Sequence, residues 1–161
     1  MAILSPASLL GCAAVAVAAW TALQPVTVLE IANAAGGAPT RIALDGGGFS
    51  VVAQHSMYDQ PVTEEFAVDA ELRIVLKAVS SPSAAVREYF GISAPSERHA
   101  MERVMDEIVF RVAAGTPQKL RAGGAERSFL DLGTHGDRLV MRAARTTVLA
   151  RWLADPHRIA P

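Results

Sequence analysis

Apolar and polar positions alternate along much of this chain, and the alternation marks strands. The clearest run starts at Phe66. Val68, Ala70, Leu72, Ile74 and Leu76 follow at every second position, with Glu65, Asp69, Glu71, Arg73 and Lys77 between them. A period of two gives one dry face and one wet face, which helical spacing cannot produce. Upstream, Phe49, Val51 and Ala53 alternate with Ser50 and Gln54 after the turn signal "DGGG" at 45–48, and "YDQP" marks the next turn. "VTVLEI" (26–31) and "TRIALD" (40–45) are further short β-branched runs. The pattern predicts an antiparallel meander, solvated on one side.

The period changes after residue 80. "SSPSAAVREYFG" predicts a short helix, with Pro82 in its first turn and Gly91 at its end. In "APSERHAMERVMDE", Met101, Val104, Met105 and Ile108 fall on one helical stripe, with Arg98–Glu102 and Arg103–Glu107 pairs four apart, which predicts a second helix. "IVFRVAAG" then switches to strand, because Ile108, Phe110 and Val112 alternate. "PQKLRAGG", "RSFLDLG" and "DRLVMRAA" read as short strands and glycine turns, and "TTVLARWLA" as a closing helix. The expected fold is mainly β, a β-sandwich or curled antiparallel sheet with one or two short helices and an N-terminal apolar helix. Three segments are expected: 1–24 signal-like or membrane-anchoring, 25–145 the antiparallel β domain, and 146–161 a helical tail.

The first segment carries no charged side chain before Glu30, and its apolar run extends from Leu9 to Leu23. A spanning helix needs about 20 apolar residues, so the run is closer to a signal-peptide core. It lacks the Lys or Arg that precedes such a core. An alanine-rich contact helix buried in an assembly fits the same residues. The expectation is a periplasmic or extracytoplasmic protein, anchored to the membrane through residues 7–23.

Charge narrows the function. With 15 Lys+Arg against 16 Asp+Glu in 161 residues, interspersed, the chain has no basic footprint for nucleic acid. The lone Cys12 excludes an intrachain disulfide and a multi-cysteine metal site. There is no GxSxG elbow, no HExxH pair, and no lysine or helix behind "DGGG" to make a P-loop. Ser56 adjoins His55, but neighbours in a strand point to opposite faces and cannot form a nucleophile–base pair. No catalytic residue, metal ligand set or cofactor is therefore assigned. A small hydrolase or metal-dependent enzyme would have to draw on His55, Glu64 and Glu88.

The concentration of chemistry lies at one hairpin end. His55 shares strand parity with Phe49, Val51 and Ala53, and Glu64 with Phe66 and Val68, so both belong to the apolar face. One face-preserving register pairs Phe49 with Ala70, Val51 with Val68, Ala53 with Phe66 and His55 with Glu64; a register shifted by two residues also keeps the faces. In the first register, His55–Glu64 either pins the hairpin or floors a polar ligand site. The candidate ligand-binding residues are His55, Ser56, Tyr58, Glu64, Glu65, Glu88 and Tyr89.

These residues carry a resemblance. His55-Ser56-Met57-Tyr58 followed by Pro61-Val62-Thr63-Glu64, flanked by "GGGFSVVAQ" and "EEFAVDAELRIVLKAV" and followed by "SPSAAVREYFG", resembles a family of domains of unknown function encoded beside TRAP transporters of the TAXI type. The similarity covers roughly residues 26–145, the length of one small domain. It implies an extracytoplasmic, non-enzymatic accessory or binding domain that works with an organic-solute transporter. The partners it implies are the transporter's membrane subunit or solute receptor, and a small organic solute. The uncharged leader, the segment at 95–107 and the tail after Arg145 depart from the family pattern. A structural subunit using the alanine-rich helix as its contact is the competing expectation.

Overall fold

A computed structural model describes residues 19–44, 46–93 and 96–150. The leader to residue 18, and the tail beyond residue 150, lie outside the described residues, and with them most of the expected apolar helix. Two compact units are distinguished. Thr27–Ala144 forms one, and the described residues 19–26 and 145–150 belong to the other. In the smaller unit, residues 19–22 and 148–150 are helical, and Val148 N–H donates to the Gln24 carbonyl at 3.1 Å.

Among the described residues, ten strands make two antiparallel sheets. One sheet has the order β2-β1-β10-β7, from β1 (Pro25–Asn33), β2 (Thr40–Ala43), β7 (Ile108–Arg111) and β10 (Arg138–Thr147). The other has the order β6-β5-β4-β3-β8-β9. It comprises β3 (Gly48–His55), β4 (Gln60–Val68), β5 (Ile74–Ser80), β6 (Arg98–Met105), β8 (Lys119–Ala122) and β9 (Ala125–Ser128). One buried cluster draws on both sheets. Leu29, Ile42, Leu139 and Met141 come from the first, and Val51, Phe66, Ile74 and Leu120 from the second. The mainly β expectation holds. Gly123, in the β8–β9 turn, packs against the end of β2. Its φ is +56°, and a Cβ there would stand 2.5 Å from the Ala43 carbonyl oxygen. Only glycine accepts both conditions.

Three expectations are corrected. The alternation from Phe66 to Leu76 is two strands, not one. Asp69 breaks it: its carboxylate accepts from the backbone N–H of Glu71 at 3.1 Å and of Arg73 at 2.8 Å, and pairs with the Arg73 guanidinium. Leu72 takes a positive φ of 64° in that turn. A short polar side chain that captures backbone donors competes with the sheet ladder. Second, residues 98–105 form strand β6 rather than a helix. The helical stripe of Met101, Val104, Met105 and Ile108 gives way to a strand in which Met101, Arg103 and Met105 share one face, and pairing with β5 decides the matter. Third, the β3–β4 register places Phe49 opposite Phe66, Val51 opposite Glu64 and His55 opposite Gln60. The expected Phe49–Ala70 and His55–Glu64 pairings are not made. The four-residue turn 56–59 closes the hairpin tightly, and the Phe49 and Phe66 rings stack with centroids 4.9 Å apart.

The expected helix after β5 is present as α1 (Ala84–Tyr89). Its N-cap is Ser83, whose side chain accepts from Val86 N–H, and Gly91 follows with φ 75°. Val86 is fully buried and ties the helix to the core. Ser81, the buried polar residue just ahead of it, donates its hydroxyl to the Pro61 carbonyl at 2.8 Å. That bond satisfies the acceptor of Pro61 beside the end of the β4–β5 ladder, where burial would otherwise make it costly.

Candidate functional site

Glu64 occupies an inward row of the larger sheet. Its neighbours across the strands are Val51 on β3 and Val79 on β5, which are 1% and 0% exposed. Binary patterning calls for an aliphatic residue in such a row. Instead a carboxyl group stands there, and no hydrogen bond or ion pair engages it among the described residues. Burial pushes its pKa above the ordinary carboxylate value, because the charged form loses hydration with no compensating partner.

The carboxyl borders a cavity of about 590 Å³. Phe66 and Leu76 form its floor, next along the same sheet face. Met101, Arg103 and Met105 of edge strand β6 supply one wall. Ile108, Val109 and Phe110 of β7, an edge strand of the other sheet, supply the opposite wall, and Tyr89 and Phe90 close the helical end. The strand parity of β6 explains the lining. Leu76 pairs with Arg103 and Ile74 with Met105, so alternate residues of β6 share the inward face of β5. Register irregularities at Glu65/Phe66 in β4 and between Leu76 and Ala78 in β5 bend this part of the sheet. Arg103 and Glu64 are the two charged residues of the lining, and Arg103, like Glu64, has no ion-pair partner among the described residues.

His55 belongs to the neighbouring cluster. Its ring stacks on Tyr58 at 5.1 Å between centroids and meets the edge of Tyr89 at 4.6 Å. Tyr89 in turn packs edge-on against Phe90. The His55 Nδ1 is buried without a hydrogen-bond partner among the described residues. So His55 and Glu64 are not paired, yet both border Tyr89, one through ring contact and the other across the cavity.

The remaining candidates separate. Ser56 is exposed in the hairpin turn, and Glu88 is exposed on α1. Glu65 turns to the other strand face, where Arg98 donates two hydrogen bonds to it at 2.9 and 2.7 Å; the arginine holds its pKa below the usual value. Among the described residues no cluster of His, Cys, Asp or Glu has the grouping to hold a metal ion. Sequence reasoning missed Met101, Arg103, Met105 and Phe110 as site residues. The available signal was the two-residue alternation in β6, which the helical stripe masked.

No family model matches the chain, and no curated protein and no solved structure matches it either.

Proposed function

We propose that the chain is a non-enzymatic binding domain whose cavity between β6 and β7 receives a small organic solute. In this reading the two sheets form a sandwich that is open along that edge. The observation that supports it is Glu64: a carboxyl set between Val51 and Val79, without a hydrogen-bond or ion-pair partner among the described residues, facing a cavity large enough for a small molecule. Such a group costs stability, and a ligand that satisfies it recovers that cost. Apolar walls with a few convergent polar groups are the usual composition of a small-molecule site.

The protein is further proposed to act outside the cytoplasm, held at the membrane through residues 7–23, as an accessory of a TRAP-type organic-solute transporter. The motif His55-Ser56 to Pro61-Val62-Thr63-Glu64 and its flanks support this part. Among the described residues no helix is long and apolar enough to cross a membrane.

The two parts are tested separately. Calorimetry against a panel of organic acids, amines and amino acids is expected to give a binder, and Met101→Trp, which fills the cavity, is expected to abolish binding with folding retained. Binding that survives Met101→Trp would sink the cavity reading. For the transport role, the tagged chain is expected to co-purify from detergent with a transporter membrane subunit. Recovery of a soluble cytosolic chain that keeps Met1 would overturn it.

A further inference from the structure

We infer that the cavity selects a small zwitterion, with an ammonium group at Glu64, a carboxylate at Arg103 and an apolar body between them. The inference rests on the binding reading above and narrows its ligand class. Three observations carry it. First, Glu64 and Arg103 are the two charged residues lining the cavity, they have opposite signs, and neither has an ion-pair partner among the described residues. Second, they are placed apart rather than together. Glu64 lies in the row of Val51 and Val79, while Arg103 lies in the next inward row, opposite Leu76. Two strand spacings and one same-face step put their Cα atoms about 12 Å apart. Third, the surface between them is apolar: Phe66 and Leu76 on the floor and Met101 on the wall.

The chemistry at the two ends differs. Glu64 is desolvated, so its carboxylate gains most from a cation that brings its own counter-charge into the site. An ammonium donates hydrogen bonds and supplies that charge. Arg103 is exposed, at an inward-facing position of an edge strand, and keeps its hydration until a ligand arrives. Its planar guanidinium matches a carboxylate with two parallel hydrogen bonds. A simple amine would leave Arg103 unmatched and would feel its repulsion. A simple carboxylate would meet the negative Glu64. A zwitterion satisfies both and leaves neither charge uncompensated.

The test uses the whole chain and four probes of similar length: ε-aminocaproate, hexylamine, caproate and hexanol. Calorimetry in mildly alkaline buffer is expected to show ε-aminocaproate binding about tenfold or more tighter than each of the other three. Glu64→Gln is expected to remove that preference over caproate, and Arg103→Gln the preference over hexylamine; a thermal melt checks that both variants fold. If hexanol binds as tightly as ε-aminocaproate, the zwitterion inference is overturned and the cavity remains an apolar binding site. Hexylamine or caproate equalling ε-aminocaproate also overturns it, leaving one charged contact. If none of the four binds and the wider solute panel gives no binder, both this inference and the binding reading fall.

Discussion

Glu64 stands directly across the β3–β4 ladder from Val51, and His55 stands across from Gln60. The carboxyl is therefore set among valines of the core row. The imidazole is held by the rings of Tyr58 and Tyr89.

This placement gives Glu64 a defined pH signature. Its folded pKa lies above its unfolded value, so the folded state binds the extra proton more tightly. Its contribution favours folding below the unfolded pKa and declines as pH rises from the ordinary carboxylate value through the raised one. Replacing it by an apolar residue removes that decline. Glu64→Leu is expected to stabilise the protein by about 1–3 kcal/mol in neutral buffer, with the gain shrinking in acid. Urea melts across pH check this. A Glu64→Leu protein less stable than the parent at neutral pH would mean that the carboxyl has a favourable partner.

His55 is expected to behave as a packing residue. Its Nδ1 makes no hydrogen bond among the described residues, so an apolar ring of similar shape loses little. His55→Phe should change stability by less than about 1 kcal/mol. His55→Ala, which removes both ring contacts, should cost about 1–3 kcal/mol. Equal, large losses in the two variants would instead assign the imidazole a polar role.

Glu65 provides the contrast to its neighbour. Arg98 lowers its pKa, so its contribution is present above the unfolded pKa and lost as pH falls through the lowered folded value. Both partners are partly exposed, and solvent screens them. Glu65→Gln is expected to cost no more than about 1 kcal/mol, and less at high salt. A loss well above that, insensitive to salt, would point to a structural role beyond the ion pair.

Gly123 is expected to resist even the smallest side chain. Gly123→Ala forces a positive φ on alanine and drives its Cβ against the Ala43 carbonyl. The cost should exceed about 1 kcal/mol, whereas Gly124→Ala, with open space around it, carries only the backbone strain. Comparing the two melting temperatures separates the close approach from the strain; equal losses would refute the close approach.

Much of this fold was legible along the chain. Short β-branched or alternating runs and glycine or Asp/Pro turns located β1, β2, β3, β7, β8 and β10, because alternation and turn chemistry are local properties. Parity placed His55 and Glu64 on the inward face for the same reason. The helix at 84–89 followed from its proline and glycine signals, although Pro82 lies just ahead of the first turn and the cap is Ser83. Tertiary structure decided the rest. Any shift by an even number of residues preserves the faces, so the pattern left the register open; the tight 56–59 turn and the Phe49–Phe66 stack selected it. Residues 98–105 fit two periods, and β5 offered an edge that only a strand can fill. The cavity depends on both decisions. The first gives Glu64 its aliphatic neighbours, and the second turns Met101, Arg103 and Met105 towards it, which no one-dimensional pattern specifies.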